Sequence, residues 1–204
     1  MRSRTASGPA SVGFRVKTGR AIAVALAGPV SNPRILFRRE VQLCDPNVPQ
    51  SRQPYHGGIM PFVPAAPEAV ARGKKVALRV GIAAVRELTE ELRAAGLKLG
   101  GVGLVVASKP DLAKIGSSHV RAHALEGIFF CEVLEAGARA CRVPAALLLE
   151  REALARASAG LGRREGELRH VLARFGEEIG SPWRAEEKSA ALGAWLALRS
   201  RGRS

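Results

Sequence analysis

Apolar residues alternate with others at Val12, Phe14 and Val16, and a second apolar run follows at Ala21-Ile22-Ala23-Val24-Ala25-Leu26-Ala27. Side chains of a strand point to opposite faces with a period of two, so residues 12–28 predict a strand or strand pair. Gly13 and Gly19 let another backbone come close there. Ile35, Phe37, Val41 and Leu43 alternate with polar neighbours and predict a further strand over 34–43. Gly28-Pro29 and Asn32-Pro33 mark the turn between them, which makes the early strands an antiparallel hairpin. Residues 44–67 are dense in Pro and Gly, and a loop of that length inside a compact domain is usually functional or mobile. A short strand, Ile59 to Val63, interrupts it.

The period then changes. Leu78, Ile82, Val85, Leu88 and Leu92 form the stripe of a helix over 68–95, with Pro67 in its first turn and Gly96 as its stop. Val102 to Ala107 is a continuous apolar run, as in a buried parallel strand. A helix over 118–140 follows, capped by Ser117 or Ser118, with Leu125, Phe129, Val133 and Leu134 on its buried side. Val143 to Leu149 predicts a second buried strand. The remainder is helical: Leu168, Val171, Leu172, Phe175 and Ile179 make one stripe ending at Gly180, and Leu192, Trp195 and Leu198 lie on a last helix after Pro182-Trp183. Strands first, then helix and strand in alternation, give an α/β fold: a mixed sheet with helices on both faces. The organisation expected is a flexible tail over 1–11, one domain over 12–198 and a basic tail over 199–204.

At 47 % hydrophobic, the 204 residues suffice for a packed core, and a disordered chain is excluded. The net charge of +14 changes the picture more, with 25 Arg against 7 Lys. A GC-rich genome enriches Arg, Ala, Gly and Pro together; a polyanion partner, such as nucleic acid or another phosphate-bearing ligand, selects Arg for its phosphate contacts. Both readings stand on charge alone. Cys44, Cys131 and Cys141 lack metal-type spacing and read as reduced thiols of a cytoplasmic protein. No stretch reaches the ~18 apolar residues of a membrane helix. The run 21–28 follows a basic start, yet it begins late and its upstream half alternates like a strand, so it is not read as a signal peptide.

The sharpest chemistry lies in Ser118-His119-Val120-Arg121-Ala122-His123-Ala124-Leu125-Glu126. On a helix His123 sits roughly 40° from His119 around the axis, and Glu126 roughly 20° to its other side. Two imidazoles and a carboxylate thus share a face at the start of a helix after a strand, where α/β sheets bind ligands. His-x-x-x-His spacing suits a divalent metal, Zn²⁺ or Mn²⁺, with His119, His123 and Glu126 as ligands and His56, Asp45 or Asp111 completing the set. The pattern lacks the Glu of His-Glu-x-x-His, so a zinc protease is not indicated. The plainer alternative is structural: His119 bonded in the first helical turn, His123 half buried, Glu126 paired with Arg121 or Arg139.

A second cluster, Arg15, Lys17, Thr18 and Arg20, predicts phosphate binding at a strand end. Its alternative is a strand edge guarded by charge. Lys17-Thr18 lacks the glycine lead of a P-loop. On a twisted sheet Lys17 and the start of the 118–140 helix face one cleft, which would join both clusters.

The order of elements resembles the ribonuclease H-like superfamily, and within it the Holliday-junction-resolvase type. Three segments carry the likeness: Val12-Gly13-Phe14-Arg15-Val16-Lys17-Thr18-Gly19-Arg20-Ala21-Ile22-Ala23-Val24, similar to the family's first strand and its Gly-rich turn; His123-Ala124-Leu125-Glu126-Gly127 with the Ala-rich helix and Arg142-Val143-Pro144; and Leu161-Gly162-Arg163-Arg164-Glu165-Gly166-Glu167-Leu168 with Glu186-Glu187-Lys188-Ser189-Ala190-Ala191-Leu192-Gly193-Ala194, similar to its Gly-rich link and last helix. The resemblance implies two metal ions held by carboxylates of the first strand, the central strand end and the last helix. Here those places fall at Arg15 or Lys17, at Ala107-Ser108, and at Ser189 and Leu192, with only Glu186 and Glu187 close by. Cations repel the metals such a site needs, so the resemblance implies a nuclease-like scaffold without standard two-metal chemistry.

The expected function is a cytoplasmic protein, not membrane-bound, that binds nucleic acid or a phosphate ligand. The rival is a metal-dependent hydrolase, a phosphodiesterase or nuclease, with His123 and Glu126 catalytic and Lys17 stabilising phosphate. A third class, a scaffold for a partner protein, is favoured where the 44–67 loop orders only in a complex.

Overall fold

A computed structural model describes residues 8–58 and 63–199. The elements run β1 (Gly8–Lys17), β2 (Arg20–Ala27), β3 (Arg34–Gln42), β4 (His56–Gly58), β5 (Val63–Pro64), α1 (Pro67–Ala94), β6 (Leu97–Val106), α2 (Ser118–Ala140), β7 (Ala145–Leu149), α3 (Ala153–Leu161), α4 (Glu165–Ile179) and α5 (Ala185–Arg199). One sheet has the order β3-β2-β1-β6-β7; β4 and β5 form a separate small hairpin. β1 and β3 are antiparallel to β2, while β6 runs parallel to β1 and β7 to β6. The α/β class, the mixed sheet and the helices on both faces are as the sequence predicts.

The alternation in β1 sorts its residues between two cores. Ala10, Val12, Phe14 and Val16 face α1 and α2, meeting Val85, Leu88, Phe130, Val133 and Leu134. The other face carries Ser11, Gly13, Arg15 and Lys17 and lies under α5. The Ser11 hydroxyl donates to the Ala194 carbonyl at 2.6 Å. A Cβ at Gly13 would stand 1.9 Å from the Ala190 carbonyl oxygen, and one at Gly103 would stand 2.2 Å from that of Gly193. The strand glycines are therefore where the α5 backbone rests directly on the sheet. Val24, Leu26, Val105, Phe175 and Trp195 fill the core on that side. Gly19, at φ +73°, turns β1 into β2.

Three expectations need correction. β1 begins at Gly8, inside the expected tail, because Gly8 to Ala10 pair with Leu97 to Leu99 of a β6 that also starts early. β7 is an edge strand rather than a buried one: it pairs with β6 alone, and Leu147 is 41 % exposed while Leu148 turns inward. The α1 stripe shifts at its start. Leu78 is exposed, and Gly73, Ala77 and Gly81 are buried instead. Two close approaches force small residues there: a Cβ at Gly81 would lie 2.1 Å from Val133, and one at Gly73 would lie 2.4 Å from the Gln50 carbonyl oxygen. The described part of the 44–67 loop meets α1 where Gln50 lies against Gly73, and it is braced internally. The buried Ser51 hydroxyl donates to the Val48 carbonyl at 2.6 Å and accepts from the Asp45 N–H at 2.9 Å. Of the expected strand 59–63, residues 59–62 lie outside the described residues, and β5 starts at Val63. The tail beyond Arg199 and residues 1–7 also lie outside them. The three cysteines are free, and no described helix is long and apolar enough to cross a membrane.

Candidate functional site

α2 starts where the Ser117 hydroxyl accepts the Val120 N–H, and this puts His119 in its first turn with His123 one turn later. β4 brings His56 to the same place from 63 residues upstream of His119. The ring centroids are 4.6 Å apart for His56 and His123, 4.7 Å for His119 and His123, and 5.5 Å for His56 and His119. Nε2 of His123 and Nε2 of His119 are 3.0 Å apart. One ligand atom from each imidazole lies within 4.8 Å of the others. Three of the four histidines in the chain thus meet at one point. His170, on α4, is the fourth.

Glu126 takes a different place from the one its spacing predicts. It is 0 % exposed and stands behind the imidazoles, outside the three-histidine group. His56 Nδ1 donates to its Oε1 at 2.7 Å, and its Oε2 lies 3.7 Å from Nδ1 of His123. It pairs with His56 rather than with Arg121 or Arg139. Burial pushes the Glu126 carboxyl above the ordinary carboxylate range, with the hydrogen bond from His56 acting the other way. Burial lowers the His123 imidazole below its ordinary value, and the charges of His56 and His119 lower it further. Asp45 and Asp111 stand elsewhere in local turns, accepting the N–H groups of Asn47 and Ala113.

Arg15, Lys17 and Thr18 line one cavity of about 460 Å³ together with His123, Ser108, Ile115 and Val120. Of the imidazole cluster, His123 alone lines this cleft at the ends of β1 and β6. The charged members of the strand cluster are already partnered. Arg15 is buried and donates from Nε and Nη2 to the two carboxylate oxygens of Glu150, each at 2.7 Å, and from Nη1 to the Val16 carbonyl at 2.6 Å. Ser189 of α5 donates to the same carboxylate at 3.2 Å. Lys17 pairs with Glu186 at the start of α5. Arg20 pairs with the exposed Glu40 of β3 and does not line this cavity.

Glu150 is the residue that sequence reasoning passed over. The arginine hydrogen bond is the main cause that holds its carboxyl below the ordinary range. Its signal was available: an acid directly after a strand of a parallel pair, where such sheets place functional groups.

No family model matches the sequence, and no curated protein matches it. Among solved structures, Thermus thermophilus RuvC is similar over 92 % of this chain and 92 % of its own, at 12 % identity and a TM-score of 0.52. T. thermophilus RuvC in complex with a Holliday junction substrate matches 92 % of this chain and 90 % of its own, at 13 % identity and a TM-score of 0.49. The fold is ribonuclease H-like.

Proposed function

We propose that the chain binds nucleic acid, or another phosphate-bearing polyanion, on a nuclease-like scaffold that lacks standard two-metal chemistry. The observation that carries this reading is the charge balance at the cleft. Glu150 is neutralised by Arg15 and Glu186 by Lys17, the cavity lining holds no carboxylate among the described residues, and the exposed cations Lys109 and Arg121 adjoin the lining residues Ser108 and Val120 in the chain. The residues present do not fit a pair of divalent ions. Such ions need several oxygen anions facing one point. Here a guanidinium and an ammonium occupy that role, and Ala107 follows the end of β6. The same cations and the net charge of +14 favour phosphate. The solved structure with a Holliday junction substrate shows what another chain binds; it makes branched DNA a rational first probe. The test is anisotropy of labelled four-way-junction and duplex DNA with Mg²⁺ present, followed by a denaturing gel. DNA bound and left intact is the expected result; DNA cut at a rate that rises with Mg²⁺ would overturn the reading.

A second reading, a hydrolase working from imidazoles, has the meeting of His56, His119 and His123 in its favour. It predicts phosphodiester cleavage that His123→Ala abolishes with the fold intact.

A further inference from the structure

We infer that His56, His119 and His123 form a binding site for one zinc-like transition-metal ion, with Glu126 as the carboxylate that orients the ligands. The hydrolase reading requires such a site, but the site stands without it and without nucleic-acid binding.

Two observations converge. Zinc lies about 2.0–2.1 Å from imidazole nitrogen, so neighbouring ligand atoms of a tetrahedral site stand roughly 3.3 Å apart. Nε2 of His119 and Nε2 of His123 are 3.0 Å apart, and the three candidate ligand atoms fall within 4.8 Å of one another. A small inward movement of His56 would close that set around an ion.

The second observation is Glu126. Metal-bound histidines commonly give their other ring N–H to a carboxylate, which fixes the tautomer and aims the ligand nitrogen. His56 does this at 2.7 Å, leaving Nε2 as the nitrogen it can offer to a metal. Nδ1 of His123 faces the other oxygen of the same carboxylate at 3.7 Å. The acid on α2 is thus hydrogen-bonded to the imidazole of β4, and the His123 imidazole stands next to it beyond hydrogen-bond reach.

Ligand chemistry selects the ion. Three nitrogens suit zinc and its neighbours, whereas Mg²⁺ and Ca²⁺ require oxygens. Two of the three histidines are exposed, so a fourth position stays open to water or to an anionic oxygen, the arrangement that catalytic rather than structural zinc keeps. The ion would also tie β4 to α2, joining the described loop to the rim of the cleft.

The test is a Zn²⁺ titration of the tag-free, chelator-stripped full chain against a chromophoric chelator, with Mg²⁺ as the control ion. The expected result is one Zn²⁺ per chain, at least 100-fold weaker in His119→Ala/His123→Ala and unchanged in His170→Ala. Glu126→Gln keeps the stoichiometry and weakens binding about 10- to 100-fold. The double variant changes exposed side chains only, so circular dichroism should show it folded. Absence of Zn²⁺ binding, or equal binding by the wild type and the double variant, overturns the site. Unaltered affinity in a folded Glu126→Gln overturns the orienting role.

Discussion

Arg15 and Glu150 meet at two points: Nε to Oε1 and Nη2 to Oε2, both at 2.7 Å. The pair joins the end of β1 to the residue after β7 and so bridges across β6. A third point, Ser189, adds α5. An acid and a base satisfy one another at this corner, and the bonds tie β1, the end of β7 and α5 together.

Arg15→Ala should therefore act on stability. It removes a buried partner and leaves Glu150 at 30 % side-chain exposure to recover some water. The expected loss is about 2 kcal/mol, below the 3–5 kcal/mol of a fully buried pair. For a chain of this size that is roughly 4–8 °C in Tm. Thermal melts of Arg15→Ala beside the exposed Arg169→Ala should separate, with the latter near wild type.

The same pair sets an acid limit. The folded Glu150 pKa is depressed, chiefly by the arginine hydrogen bond. Its contribution is therefore present in full above the unfolded carboxylate pKa and is lost as pH falls through the folded value. Urea midpoints measured downward from neutral pH should drop less steeply in Glu150→Gln than in wild type below the ordinary glutamate range. Parallel curves would mean that the pair does not contribute in this way.

Two glycine substitutions should go in opposite directions. Gly13→Ala would drive a Cβ to within 1.9 Å of the Ala190 backbone oxygen, and α5 cannot move without lifting off the sheet. A loss of at least 3 kcal/mol, or failure to fold, is expected. Gly127→Ala meets nothing within 4 Å in the middle of α2 and should stabilise by about 0.5–1 kcal/mol. Chemical denaturation of both variants checks the contrast.

Cys131 should be inert in the native state. Burial is the main cause that pushes its thiol up to about 12, and Glu135 and Glu132 act the same way. Alkylation near pH 8 should leave Cys131 unlabelled until denaturant is added, as read by peptide mass spectrometry.

Much of the fold was legible from local pattern. The alternation in Val12, Phe14 and Val16 and the stripe of Leu88 and Leu92 were decided by burial on one face, which sequence displays. The misread elements were decided by what lies opposite. Nothing in Leu147 shows that it stands on an edge strand, and nothing in Leu78 shows that Gly81 must take the contact with Val133. The site divides in the same way. Helical spacing put His119 and His123 together, because that juxtaposition is local. His56 was placed among candidates by its chemistry, and its approach depends on a hairpin 63 residues before His119. Glu126 shares the helical face but is turned inward by His56, and Arg15 looked like a phosphate ligand because its partner Glu150 is 135 residues away. Long-range charge pairing leaves no period in a sequence.

The most direct measurement of the functional account is the affinity for labelled four-way-junction DNA across a salt series. The account predicts that log K falls linearly with log salt, with a slope reflecting several phosphate contacts, and that Lys109→Ala/Arg121→Ala makes the slope shallower by about one to two. An affinity that does not change with salt, or no binding at the lowest salt, would contradict it.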